Sequence, residues 1–168
     1  MARTGGRWTE SLQCSLEFFE VILPRLASRP ISLTSATLPR CVLYTDASWE
    51  ISFDGSAVSS LLDAGLGAFM VDKRGQPRAL ASQLAQRWLP VLNPRKTQIV
   101  ACEAIAILDA VCALKADLQR TELLLFCDNI AVVCALVKGA SCHTDLHAIV
   151  SAVHLELAFL QCRWWVEL

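Results

Sequence analysis

Apolar positions along the chain alternate with polar ones in a way that separates strands from helices. Cys41-Val42-Leu43-Tyr44-Thr45-Asp46-Ala47-Ser48 runs apolar and then meets a carboxylate, which predicts a buried strand over about 41–49 with Asp46 toward its end. Gly65 to Asp72 and Arg78 to Gln83 read as two further strands joined by a tight turn at Lys73-Arg74-Gly75-Gln76-Pro77, giving an antiparallel meander with the first. From Pro94 to Leu114 the period becomes helical, with Asn93 placed to cap it. Leu123-Leu124-Leu125-Phe126-Cys127 then predicts a central strand over 122–127, apolar on both faces and again ending in an acid, Asp128. A short helix from Asn129 to Lys138 is stopped by Gly139. A longer helix over 145–161, capped by Thr144, leads to a fifth strand over 163–168.

The order βββαβααβ predicts an α/β architecture in which the connections from the first to the fourth strand, and from the fourth to the fifth, can be parallel. Upstream, Leu12, Leu16, Phe19 and Leu23 mark an amphipathic helix over 10–23 that Pro24 ends, and Arg29-Pro30 and Leu38-Pro39 mark a linker. The expected division is therefore an N-terminal helix and linker over 1–39 and a domain over 40–168.

Composition narrows the class. In a chain of 168 residues, 54% hydrophobic, there is enough apolar surface for a core, and a net charge of −1 names no partner. Glu103 and Asp109 interrupt the most apolar stretch, so no membrane span is expected, and no apolar signal segment follows the N-terminal arginines. Eight cysteines without a CxxC pair read as reduced thiols in an intracellular, cytoplasmic or nuclear, protein that is not secreted.

The acids carry the candidate chemistry. On a helical wheel Ile99, Ile107, Ala110 and Leu114 lie within roughly 40° of Glu103, and Gln98 and Asp109 lie roughly 120° away. Glu103 thus projects from the apolar side, where an unpaired carboxylate is costly unless it meets a cation. Asp46 and Asp128 would lie at the same end of the sheet if their strands are parallel neighbours, and ligands of open α/β sheets favour those carboxyl ends. Three oxygen donors suit Mg²⁺ or Mn²⁺ rather than zinc. The simpler uses are an arginine partner for Glu103, a helix cap for Asp128, which Asn129 could supply instead, and an ordinary strand end for Asp46.

Between Lys73 and Lys96 the chain holds Lys73, Arg74, Arg78, Arg87, Arg95 and Lys96 and no acid among them, with Trp88 inside the run. This reads either as a phosphate-contacting surface with a stacking aromatic, or as a solvated strand and loop with Trp88 in the core. Cys142, His143 and His147 are a weak zinc set, and the histidines read as helix-surface residues.

The segment Tyr44-Thr45-Asp46-Ala47-Ser48, the strand Gly65-Leu66-Gly67-Ala68-Phe69-Met70-Val71, Glu103-Ala104 in a helix, and Cys127-Asp128-Asn129-Ile130-Ala131-Val132-Val133, in that order, resemble the ribonuclease H domain of reverse transcriptases, most closely the retroelement type. The resemblance covers nearly all of 40–168. It implies a five-stranded mixed sheet in the order 3-2-1-4-5 with helices on both faces. It implies hydrolysis of RNA in RNA–DNA hybrids, two Mg²⁺ ions held by Asp46, Glu103 and Asp128, and a polymerase domain preceding residues 1–39. A fourth family aspartate would fall after the fifth strand, beyond Leu168, so the domain is expected to be incomplete at its C-terminus, and this puts its activity in question. The competing expectation is a catalytically silent module of the same fold that binds nucleic acid or packs on a polymerase. A proofreading exonuclease of this fold would want an acid at Ser48, and a transposase would carry its glutamate after the fourth strand rather than at Glu103.

Overall fold

The computed structural model describes residue 20 and residues 38–49, 64–95 and 97–168. The expected helix over 10–23, apart from a helical, exposed Glu20, lies outside the described residues, as does Asp54-Gly55, a dipeptide that reads as a turn. All the elements below belong to one compact unit, Ser35–Leu168.

Five strands, β1 (Arg40–Ser48), β2 (Gly65–Val71), β3 (Pro77–Gln83), β4 (Glu122–Cys127) and β5 (Arg163–Glu167), form a single mixed sheet in the order β3-β2-β1-β4-β5. A 3₁₀ turn (Gln86–Trp88) precedes helices α1 (Ile99–Ala113), α2 (Lys115–Leu118), α3 (Ile130–Lys138) and α4 (Thr144–Phe159). β1 pairs antiparallel with β2, placing Asp46 opposite Gly67, and parallel with β4, placing Thr45 opposite Cys127. Apart from the 3₁₀ turn and the short α2, the element order is that expected from the sequence, and so is the 3-2-1-4-5 sheet.

Period-2 alternation explains how the sheet chooses its buried side. In β1 the residues Cys41, Leu43, Thr45 and Ala47 are buried while Tyr44, Asp46 and Ser48 are exposed. In β4, Leu123, Leu125 and Cys127 are buried and their neighbours only partly so. α1 lies across β1 and β2 and packs on its other side against α4. This double contact buries α1 almost all round. Gln98, expected on a polar side, precedes the helix and is also buried, its side chain donating to the Asn93 carbonyl oxygen at 2.7 Å. Leu43, Ile105, Ile107, Leu123 and Leu125 are fully buried at this junction, each contributing on the order of 2 kcal/mol. The opposite positions carry an aromatic row: Phe69, Tyr44 and Phe126 are cross-strand neighbours, and Tyr44 stacks on Phe126 at 4.8 Å between ring centroids.

Two boundaries differ from expectation for one reason. α1 begins at Ile99 rather than at Pro94, and Asn93 does not cap it. Instead the Asn93 amide donates to Asp145 Oδ2 at 3.0 Å and its side chain donates to Thr144 Oγ1 at 2.9 Å. Arg95 is ion-paired with Asp145, whose side chain is completely buried. These bonds hold residues 93–95 on the first turn of α4, so the chain cannot enter α1 until it has turned away. Thr144 consequently accepts from Asn93 and makes no cap bond. The other punctuation matches the sequence: Gly139 closes α3 in the left-handed region at φ 67°. In the β2–β3 turn Asp72 Oδ1 accepts from the amides of Arg74 and Gln76, both at 2.8 Å, and Gly75 takes φ 75°.

Candidate metal centre

β1 and β4 deliver carboxylates to one end of the sheet because they are adjacent, parallel and in near-matching register. The residue after Thr45 is Asp46, the residue after its partner Cys127 is Asp128, and both acids are exposed. Asp128 escapes duty as a helix cap because Asn129 takes it: the Asn129 side chain accepts from the amides of Ala131 and Val132. Glu103 enters from the covered side of the sheet, on the first half of α1, and is only 3% exposed.

Carboxylate oxygens of Glu103 and Asp128 and the sulfur of Cys127 lie within 4.8 Å of one another. Among the described residues no other group of three such side chains is brought this close. Asp46 stands outside that tight cluster but within electrostatic reach of Glu103. Burial pushes the Glu103 carboxyl up to about 7, and the neighbouring charges of Asp128 and Asp46 push the same way, against a hydrogen bond from the Ala47 amide. Glu103 Oε2 is buried with no hydrogen-bond partner. An oxygen left this way costs on the order of 1–3 kcal/mol. A divalent cation would remove that cost and the mutual repulsion of the acids together, so the donor set fits a metal ion.

Cys127 was not singled out in the sequence as a site residue, where it reads as one more apolar strand position. The signal was its place one residue before Asp128, in phase with the buried Leu123 and Leu125. Burial pushes its thiol up to about 11, with the Asn129 amide acting in the opposite direction.

The residues of the basic run do not form one surface. Lys73 and Arg74 sit in the β2–β3 turn. Asp46 faces Gly67, so that turn lies about 17 Å further along the strands, at the opposite end of the sheet. Arg78, on β3, is 3.9 Å from Asp72. Arg87 follows the end of β3 that lies beside Ser48 through Gly65, and it is exposed. It lines a cavity of about 420 Å³ between β2, β3 and α1 together with Asp109. Arg95 is committed to Asp145, and Lys96 lies outside the described residues. Trp88 packs against the core with its Nε1 buried, which does not leave the ring free for stacking.

His143 is exposed, as expected, whereas His154 and His147 differ from expectation. His154 is not a surface residue: its Nε2 lies 2.9 Å from the Leu136 carbonyl oxygen, tying α4 to α3, and its ring meets Trp164 edge-on at 4.9 Å. Burial holds it below the usual imidazole range. His147 is half-buried with Nδ1 unpartnered. Cys41, Cys102, Cys112, Cys127, Cys134 and Cys142 form no disulfide. Among the described residues no helix is long and apolar enough to cross a membrane.

No protein-family model and no curated protein matches the sequence. Solved structures do. Ribonuclease H1 from the halophilic archaeon Halobacterium salinarum superposes with a TM-score of 0.54 over 76% of this chain and 83% of that one, at 18% identity. A ribonuclease H1 isolated from compost gives 0.54 over 77% and 85%, at 14% identity. The protease-reverse transcriptase of prototype foamy virus gives 0.50 over 84% of this chain and 19% of that much longer one, at 15% identity. Identities this low speak to architecture. With its sheet order and its helices matching these structures, the chain has the fold of ribonuclease H.

Proposed function

We propose that the chain is the ribonuclease H module of a retroelement reverse transcriptase, hydrolysing the RNA strand of RNA–DNA hybrids with divalent metal held by Asp46, Glu103 and Asp128. The observation that carries this reading is the buried, unpartnered Oε2 of Glu103 beside Asp128, at the carboxyl ends of two parallel strands. The fold supports the nuclease class, and the likeness to a viral protease-reverse transcriptase supports a place beside a polymerase domain, with residues 1–39 as the joint. Two Mg²⁺ ions, or Mn²⁺ in their place, are the cations such an oxygen set suits.

Asp46, Glu103 and Asp128 would hold divalent ions, whose chemistry would be activation of a water and stabilisation of the departing oxygen in an in-line displacement at phosphorus. The protein's own part is placement. Glu103 anchors from inside the domain, held by α1 between the sheet and α4. Asp128 and Asp46 stand at the surface, where a phosphodiester can approach. Without cations these acids repel a polyanionic substrate, so the same residues make hydrolysis metal-dependent. Arg87, exposed beyond the same end of the sheet, is the described cation best placed to meet backbone phosphates.

The test is cleavage of RNA in a labelled RNA–DNA hybrid with Mg²⁺ or Mn²⁺, by the chain and by Asp46→Asn, Glu103→Gln and Asp128→Asn. Each substitution should lower the rate on the order of a hundredfold or more while the protein still melts cooperatively. Activity that survives all three refutes the site, and a folded chain with no activity under either metal favours the silent module.

A further inference from the structure

The candidate metal centre contains a donor that an oxygen-only reading leaves unexplained. β4 alternation turns the Cys127 side chain to the same buried side as Leu123 and Leu125, the side from which α1 brings Glu103. Its sulfur thereby falls within 4.8 Å of the Glu103 and Asp128 carboxylates. Glu103 Oε2, in a side chain 97% buried, meets no donor there. In a tetrahedral zinc site, bonds of about 2.3 Å to sulfur and about 2.0–2.2 Å to oxygen place the donors roughly 3.5 Å apart. Drawing these three groups together by about 1 Å reaches that spacing, within the compass of side-chain rotation.

We propose that Glu103, Cys127 and Asp128 form a mixed thiolate–carboxylate site that takes a thiophilic divalent cation of the zinc and cadmium class, in competition with the hard cation of the proposed hydrolysis. A sulfur ligand shifts preference toward softer ions, and Zn²⁺ already stands above Mg²⁺ and Mn²⁺ in affinity for sites with nitrogen or sulfur donors. On binding, the Cys127 S–H bond breaks, its proton passes to solvent, and the sulfur electron pair forms the metal–sulfur bond; no redox change occurs. Zinc bound this way engages two of the three carboxylates that hydrolysis needs, so it excludes the productive arrangement. Only this competition rests on the nuclease reading; the site itself does not.

Cadmium is the probe, because a cadmium–thiolate bond gives an ultraviolet charge-transfer band. The chain is prepared with Cys14, Cys112, Cys134 and Cys142 replaced by serine to remove background thiols, and titrated with Cd²⁺. A saturable band at one equivalent is expected. It should vanish in Cys127→Ser and in Cys127→Ala, two variants chosen so that at least one keeps the native melting profile. Glu103→Gln should weaken Cd²⁺ binding by about tenfold or more. A band unchanged in both folded Cys127 variants overturns the proposal, as does the absence of a band in the parent. Hybrid cleavage is measured on the parent protein in parallel. A Cys127-dependent band without any cleavage refutes the nuclease reading and upholds this site, whereas cleavage without a band does the reverse.

Discussion

Arg95 and Asp145 are joined across fifty residues of sequence by an ion pair, and the Asp145 side chain is wholly buried while that of Arg95 is 20% exposed. The pair links the segment entering α1 to the first turn of α4. The Asn93 amide, the Asp145 carboxylate's second donor from this segment, closes the same junction.

Removing one partner strands the other. Arg95→Ala should cost about 3 kcal/mol, because a buried carboxylate loses its counter-charge. Replacing both, as Arg95→Met with Asp145→Leu, should cost less than Arg95→Ala alone. Burial raises the Asp145 carboxyl, but the Asn93 and Leu146 amides and Arg95 outweigh it, and the net direction is downward. Its contribution is therefore full above its unfolded value of 3.8 and is lost as pH falls through the lower folded value. Urea titrations of the three proteins at neutral and acidic pH check both statements.

Glu103 behaves oppositely. Its carboxyl is raised from 4.5 to about 7, so the folded state holds a proton that the unfolded state has released across that interval. Stability from this group is full below 4.5, declines as pH rises, and is gone above about 7. The metal-free chain should lose on the order of 3 kcal/mol over this window relative to Glu103→Gln. Adding Mg²⁺ or Mn²⁺ at a hundredfold excess over its dissociation constant should return about 2.7 kcal/mol to the parent at alkaline pH. Thermal melting against pH, with and without metal, reads out each part.

Asn129 is expected to matter twice. Its side chain caps α3, so Asn129→Ala should cost about 1 kcal/mol, and Asn129→Asp should keep most of the cap. Because it follows Asp128 directly, loss of the cap should also lower hybrid cleavage more than the stability change explains. Denaturation and cleavage rates on the same preparations separate the two effects.

Arg87 and Arg95 should part company in their salt dependence. Arg87 is exposed near the carboxylate end of the sheet, so Arg87→Gln should lower the slope of log affinity against log salt for hybrid by about 1. Arg95→Gln should leave that slope unchanged, since its guanidinium already faces Asp145. Equal effects from the two substitutions would count against this assignment.

The sequence displayed the strands and the two terminal aspartates openly because alternation and apolar runs are local signals. Asn129 as cap and Gly139 as stop were legible for the same reason. Residues 93–98 were not. Asn93 next to Pro94 has a capping pattern, but its donations to Asp145 and Thr144, far along the chain, hold it on α4, away from the start of α1 where its side-chain oxygen would accept. Gln98 was misplaced because the helix begins only at Ile99, and Gln98 turns its side chain back to the Asn93 carbonyl oxygen. Among the candidate site residues, Asp46, Glu103 and Asp128 stood out as acids in apolar surroundings. Cys127 did not, since a cysteine in a strand is an ordinary core residue until a helix sets a carboxylate against it. The basic run showed how little linear density says about a surface: a hairpin turn carries Lys73 and Arg74 to the far end of the sheet.

The parallel pairing of β1 with β4 has a kinetic consequence. It joins positions 82 residues apart, as at Arg40 and Glu122. The β1–β2–β3 meander can form early from nearby segments, but Asp46 and Asp128 cannot meet until this long loop closes, with its entropy cost, and β4 inserts beside β1. Capture of a metal ion at the proposed site is therefore expected late in refolding, with a time course that follows completion of the sheet rather than the first collapse of the chain.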